Sequence, residues 1–175
     1  MIYGEIHTKF WRTCDICTCQ DARALALASH WVSDFNKTVF SHHLEKGVRR
    51  FCAIRLPSTE EELTAWANDV GYEMVFAGPL ENYLQETDAV IAISSSGASP
   101  NIIKAVEFAR SRHVPVIGLS GFDGGRLNEL ADAKILIPTE KGAYEVVESV
   151  HGTILHLMTR YFKDYFDHAL GAQNA

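Results

Sequence analysis

The chain has 175 residues, 47% of them hydrophobic, and a formal net charge of −6, which indicates one compact α/β domain with a full core. Its acidic, dispersed charge argues against direct binding of nucleic acid. No apolar run reaches the ~20 residues that span a bilayer, and the N-terminus lacks a signal-peptide pattern. We therefore expect a cytoplasmic protein without a membrane partner. The four cysteines do not form the pattern of a disulfide framework.

The first half of the chain alternates between extended and helical patterns. The expected strands are 14–19 and 51–56, and the expected helices are 21–37, 60–69 and 73–85. Alanine and leucine dominate the first helix, which neither proline nor glycine interrupts. Ser58 or Thr59 is the expected cap of the second helix, and Gly71 ends it.

The second half continues the alternation. The expected strands are 88–93, 115–119 and 133–138, and the expected helices are 102–112, 127–131 and 144–167. Alternating strands and helices favour a parallel sheet with helices on both faces. In such sheets, ligands bind at the carboxyl edge of the strands.

The most distinctive stretch is the serine-rich loop after the expected central strand, residues 94–101. Its small residues let backbone approach a ligand, and the first amides of the next helix point into the loop. The helix dipole adds partial positive charge there, so the loop suits a phosphate ester. A polar turn in which Ser99 or Asn101 caps the helix explains the same residues. The loop alone leaves both interpretations open.

Two helices carry further candidate groups. His30 and Asp34 lie four residues apart on one helix face, so an imidazole and a carboxylate can converge on one ion or substrate. Taken alone, that spacing favours an ordinary surface pair. The last helix carries four ionisable side chains at helical spacings: Glu145, Glu148, His151 and His156. Satisfied core or interface histidines are the alternative for the last two.

Several segments taken together resemble the sugar isomerase (SIS) domain. They are 88–101, 116–125, and Glu148-Ser-Val-His151 followed by His156. Within that family the chain is similar to the phosphoheptose isomerase group, because 67–72 reads Ala-Asn-Asp-Val-Gly-Tyr and because His30 and Asp34 fall where that group has a histidine and an acid. The resemblance implies an SIS domain at 28–170, preceded by a divergent or truncated segment at 1–27.

The resemblance also implies the architecture and the activity. The expected fold is a three-layer αβα sandwich with a parallel sheet, flavodoxin-like, assembled as a homotetramer whose active sites are shared between subunits. The expected reaction converts sedoheptulose 7-phosphate to a heptose 7-phosphate by proton transfer through an enediol. Its product would feed lipopolysaccharide or a related cell-surface polysaccharide.

Residue roles follow from the same resemblance. The substrate would be bound by Ser94, Ser95, Ser96, Ser99, Asp69 and Glu145. One zinc or other divalent ion per subunit would be held by His30, Asp34, Glu148 and His156. Asp34 would act as the base and His156 as the acid, with Asp69 ordering the site.

The chain departs from the group at three places. Residues 20–24, Gln-Asp-Ala-Arg-Ala, stand where the group has a Gly-Asn-Gly-Gly-Ser loop. Asp34 stands where the group has Glu, and Glu148 where it has Gln. The altered loop motivates an alternative function, that of a non-catalytic SIS module that binds a sugar phosphate or a protein partner, as in regulators and replication-initiation factors.

Overall fold

A parallel sheet with the strand order β2-β1-β3-β4-β5 forms the centre of the computed structural model, which describes residues 15–19, 22–44 and 50–171. The strands are β1 (Asp15–Cys19), β2 (Ile54–Leu56), β3 (Ala89–Ser94), β4 (Val116–Gly121) and β5 (Ala133–Ile137). This is the flavodoxin-like order, in which the connection from β2 to β3 crosses over β1. Most of the segment expected to diverge, 1–27, lies outside the described residues.

Six α-helices cover the sheet within the described part of the chain. They are α1 (Ala22–Ser33), α2 (Glu60–Asp69), α3 (Ala77–Tyr83), α4 (Pro100–Ser111), α5 (Gly125–Leu130) and α6 (Tyr144–Gly171). Alternate residues of β3 serve opposite faces, since Val90 and Ala92 pack with α3, α4 and α5, whereas Ile91 and Ile93 pack with α1 and α6. The three-layer sandwich predicted from the sequence is confirmed. No described helix has the length and apolar character needed to cross a membrane.

The helix predicted at 73–85 is broken. The structure has a 3₁₀ turn at Tyr72–Met74, and α3 begins only at Ala77. Pro79 explains the break, because a continuous helix would place its ring against the carbonyl of Val75 and would lack one backbone hydrogen bond. Starting at Ala77 puts Pro79 in the first turn, where its missing N–H costs nothing.

The strand predicted at 51–56 is shorter than expected. Only Ile54–Leu56 pairs with β1, because the side chain of Asn36 takes both backbone groups of Ala53. Asn36 Nδ2 donates to the carbonyl of Ala53 at 2.9 Å, and the Ala53 N–H donates to Asn36 Oδ1 at 2.7 Å. Of the two expected caps of α2, Thr59 is the one that accepts the N–H of Glu62, at 3.1 Å.

Aromatic rings fasten α1 and the turn after it to α6. Trp31, Phe35 and Phe40 are almost completely buried. Phe35 meets Phe162 of α6 edge-on at 5.8 Å between ring centroids, and Phe40 meets Phe166 at 4.7 Å. Each buried ring of this size contributes roughly 1.5–3 kcal/mol. Aromatic packing therefore holds α1 and α6 together on this face of the sheet.

A carboxylate near the end of α6 adds a polar contact to the same region. Asp167 accepts hydrogen bonds from His42 Nδ1 at 2.9 Å and from the buried His43 Nε2 at 2.8 Å. Desolvation by burial would by itself raise the pKa of Asp167, but the hydrogen bonds and charges of the two histidines outweigh it and lower the pKa. The charged form of Asp167 therefore stabilises the folded chain.

Asp167→Asn is expected to lower the free energy of unfolding at pH 7 by about 1 kcal/mol, because it weakens two charge-assisted hydrogen bonds. The ordinary pKa of the carboxyl is 3.8, so the parent's advantage is fully present above that pH and disappears as pH falls through the lower folded-state pKa. Urea denaturation at pH 7 and below 3.8 measures the difference.

Asp164→Asn is the matched control, since among the described residues Asp164 pairs only with exposed Arg160 on the same helix. Equal losses in the two variants at pH 7 would contradict the role given to Asp167.

Candidate active site

The serine-rich loop is braced from inside by its own hydroxyls. Ser94 and Ser99 are buried and hydrogen-bond each other through their Oγ atoms at 3.2 Å, and the Gly97 N–H donates to Ser94 Oγ at 3.1 Å. Ser99 is the residue before α4, yet its side chain makes no capping hydrogen bond. Of the two expected caps, Ser99 occupies the N-cap position with its carbonyl only, and the side chain of Asn101 accepts the Ile102 N–H at 2.9 Å. The hydroxyl of Ser99 instead shapes the loop at the amino end of α4.

A second loop, at the carboxyl end of β4, holds the first in place. The Gly121 N–H donates to the Ser95 carbonyl at 2.9 Å, and the Leu127 N–H donates to the Gly97 carbonyl at 2.7 Å. Gly97 has φ +62°, and a Cβ there would lie 1.9 Å from the carbonyl oxygen of Gly124. No other residue fits at Gly97, so the curvature of the serine loop depends on this glycine.

Three ionisable side chains converge on the opposite face of the sheet from α4. His30 Nε2 lies 3.7 Å from Asp34 Oδ2, and the rings of His30 and His156 meet edge-on at 5.0 Å between centroids. One ligand atom from each of the three residues lies within 4.8 Å of the others. The structure thus brings together three of the four residues expected to hold a metal ion.

Asp34 owes its position to a π-turn, Asp34–Thr38, that follows α1 directly. The Val39 N–H donates to the Asp34 carbonyl five residues back, at 2.9 Å, and the side chain of Asp34 is largely buried, with the residue 9% exposed. Turns of this kind often occur at functional sites. The sequence pattern predicts an uninterrupted helix here, because one turn with a different hydrogen-bond spacing leaves no mark on composition.

Thr159 is a site residue that the sequence analysis did not identify. It is buried on α6, and its Oγ1 donates a hydrogen bond to Asp34 Oδ2 at 3.1 Å. Thr159 follows His156 by about one helical turn, and this spacing is the sequence signal that could have placed it near the site. Thr159 therefore fixes the orientation of the carboxylate that His30 approaches.

A cavity of about 300 Å³ lies between the serine loop and His30 of the triad, whereas Asp34 and His156 are not among its lining residues. It lies between α1, the carboxyl end of β3 and the start of α6. Its lining consists of Ala26, Leu27, His30, Ile93, Ser95, Glu148 and His151. Ser95 is therefore the residue of the serine loop that lines the cavity, whereas the buried side chains of Ser94 and Ser99 support the loop from within.

His151 is the most deeply buried ionisable group in the cavity wall, at 1% exposure. Burial lowers its pKa, and a hydrogen bond to the backbone of Ser120 raises it by less. The net effect keeps the imidazole neutral at pH 7.

The remaining predicted site residues do not belong to the triad. Glu148 lines the cavity but precedes His156 by eight residues, about 12 Å along the helix axis. Asp69 is the exposed last residue of α2, where Asn68 Nδ2 donates to it, and it does not line the cavity. Glu145 is exposed in the first turn of α6 and does not line it either. The roles given to Glu148, Asp69 and Glu145 stay predictions.

The donor set of the triad fits a divalent metal ion. Two imidazole nitrogens and one carboxylate oxygen are the ligands that zinc accepts readily. Ligand atoms around tetrahedral zinc lie about 3.4 Å apart. The 3.7 Å between His30 Nε2 and Asp34 Oδ2 is close to that value. Thr159 supplies the supporting hydrogen bond that metal-binding carboxylates usually have.

Comparison with known proteins agrees with this geometry. The model of the SIS domain family matches residues 61–162. A phosphoheptose isomerase from Fusobacterium nucleatum is 35% identical over 143 residues, covering 82% of this chain and 70% of that protein. Another, from a Nitratiruptor strain, is 38% identical over 122 residues, covering 70% of this chain and 64% of that one.

Solved structures give the same result. The phosphoheptose isomerase from Neisseria gonorrhoeae superposes with a TM-score of 0.73 at 26% identity, covering 86% of this chain and 76% of that one. A phosphoheptose isomerase from Francisella tularensis matches with the same values. On the fold, the matched residues and these relatives, the chain belongs to the SIS domain family.

Proposed function

We propose that the chain is a phosphosugar isomerase that converts sedoheptulose 7-phosphate to a heptose 7-phosphate. The observation that carries the proposal is the single cavity that has a serine of the phosphate-type loop in one wall and a histidine of the His–Asp–His triad in another. The similarity to phosphoheptose isomerases selects the substrate from among phosphorylated sugars.

The serine loop is suited to the phosphate end of the substrate. It precedes the amino end of α4, where the helix dipole attracts anions. Pro100 has no backbone N–H, and the Ile102 N–H donates to Asn101 Oδ1 at 2.9 Å, so the dipole and the serine hydroxyls carry most of this attraction. Hydroxyls of Ser95 and Ser96 can donate to phosphate oxygens, while the buried pair Ser94 and Ser99 keeps the loop in shape. The phosphate therefore anchors the sugar with its carbon chain directed along the cavity.

The triad is suited to the carbonyl end. Aldose–ketose isomerisation removes a proton from the carbon beside the carbonyl and returns it to the neighbouring carbon, so the site needs a base and an acid. Thr159 holds Asp34 Oδ2, and no described residue hydrogen-bonds Oδ1, which leaves Oδ1 to take the proton. Through the ring nitrogen that does not bind the metal, His156 would donate a proton to the carbonyl oxygen at C2, and it would take the proton of the C1 hydroxyl as the enediol collapses to the aldehyde.

Zinc is the metal that we propose for the site, with His30, Asp34 and His156 as its ligands and Glu148 of the cavity wall as the fourth. When bound, zinc supplies Lewis-acid stabilisation of the negative charge that develops on the substrate oxygens.

Subunit assembly is part of the proposal. The side chain of His30 is 50% exposed in the single chain, and His156 is exposed too. An enediol intermediate requires protection from bulk water. A homotetramer whose neighbouring subunits cover the triad would provide it, in the cytoplasm, where the product would supply heptose for lipopolysaccharide.

Replacing His156 by Ala is expected to lower kcat/KM for sedoheptulose 7-phosphate at least a hundredfold, because the variant loses both the acid and a proposed zinc ligand. NMR of the zinc-loaded protein with the substrate follows the conversion. His168→Ala is the matched control, since His168 is another exposed histidine of the same helix, outside the site.

Parent-like turnover by the His156→Ala variant would remove His156 from the reaction. No turnover by the parent, together with less than a tenth of a zinc ion per chain after zinc replenishment, would support the alternative of a non-catalytic SIS module.

Thr159→Val is expected to weaken zinc binding about tenfold, since Val matches the shape of Thr but cannot orient Asp34. Competition with a coloured zinc chelator measures the affinity without requiring any activity. Thr159→Ser, which keeps the hydroxyl, should bind zinc nearly as tightly as the parent.

Thr153→Val is the control for this helix, because the hydroxyl of exposed Thr153 donates to the Ser149 carbonyl at 3.1 Å and, in the part of the chain that the structure describes, to nothing else. Zinc affinities that are equal in the two Val variants would contradict the support that Thr159 is said to give.

A further inference from the structure

The two ring nitrogens of His151 differ in their hydrogen bonding. The ring is hydrogen-bonded to the backbone of Ser120 at the end of β4, whereas Nε2 is buried without a hydrogen-bond partner among the described residues. The bond to Ser120 raises the pKa, so the ring is its donor, and Nδ1 therefore carries the proton. This tautomer leaves a lone pair on Nε2.

The residue that carries the unpartnered nitrogen lines the cavity between the serine loop and the triad. His151 lines that cavity together with Ser95 and His30. In the single chain Nε2 itself is covered, so a group in the cavity reaches it through a small movement of the ring. A buried polar atom in this state is costly to the fold unless a ligand satisfies it.

The chemistry of Nε2 restricts what can satisfy it. Burial keeps the ring neutral, so Nε2 can only accept a hydrogen bond. A phosphate dianion has only acceptor oxygens and would be repelled by the lone pair. A hydroxyl group can donate, and a sugar carries several along its carbon chain.

We propose that His151 Nε2 accepts a hydrogen bond from a hydroxyl of the bound sugar phosphate, which makes His151 a substrate-positioning residue. This inference rests on the proposed function, because it takes the cavity as the place of the sugar. A sugar anchored by its phosphate near Ser95, with its carbonyl near His30, passes His151 between the two.

Two variants separate this role from a purely structural one. In His151→Asn, the amide nitrogen can replace Nδ1 and keep the bond to Ser120, but no atom reaches the position of Nε2. In His151→Gln, the amide oxygen can occupy the position of Nε2 and accept, but the bond to Ser120 is lost. The two substitutions thus remove opposite halves of the imidazole.

The measurement is calorimetric binding of two probes, sedoheptulose 7-phosphate and inorganic phosphate, to the zinc-loaded parent and both variants. We expect His151→Asn to bind the sugar phosphate about tenfold to a hundredfold more weakly than the parent, with inorganic phosphate and zinc bound as before. His151→Gln should recover most of the affinity for the sugar phosphate, and the thermal midpoint of His151→Asn should match that of the parent.

Parent-like sugar affinity in His151→Asn would overturn the inference, as would equal weakening for both probes, which would show a general distortion. These outcomes are distinct from failure of the proposed function. That failure would appear as absence of turnover by the parent, whereas the binding comparison reads the role of His151 whether or not the parent turns the sugar over.

Discussion

The packing of α1 against α6 is the contact on which the whole site depends. His30 and Asp34 come from α1 and the π-turn after it, and His156 and Thr159 come from α6, so the contact between these elements brings them together. The aromatic rings beneath them, including Phe35 and Phe162, exclude water from that contact. The same two elements and β3 form the walls of the cavity.

The free-energy contributions distinguish the interactions that position the triad from the one that orients the Asp34 carboxylate. Each buried aromatic ring contributes roughly 1.5–3 kcal/mol, and several act together, whereas one hydrogen bond to a carboxylate contributes about 1.5–3 kcal/mol. Hydrophobic packing therefore determines where Asp34 lies. The Thr159 bond determines which way its oxygens face, and it adds less to stability than the rings do together.

Much of this was predictable because it rests on local patterns. The alternation of strands and helices indicates the sandwich, and small residues between a strand and a helix indicate the loop at Gly97. The contact of Thr159 with Asp34 was not predictable from spacing, because it joins residues 125 positions apart. The π-turn and the pairing of Asn36 with Ala53 likewise depend on tertiary packing, which overrides local helix and strand preference.

A crystal structure of the zinc-loaded protein with sedoheptulose 7-phosphate would test the central claim most directly, since the claim concerns the orientation of the substrate in one cavity. The account predicts the phosphate at the amino end of α4 beside Ser95, with the first two carbons of the sugar about 3–3.5 Å from the Asp34 carboxylate. A phosphate bound at the triad, or a sugar bound outside the cavity, would contradict it.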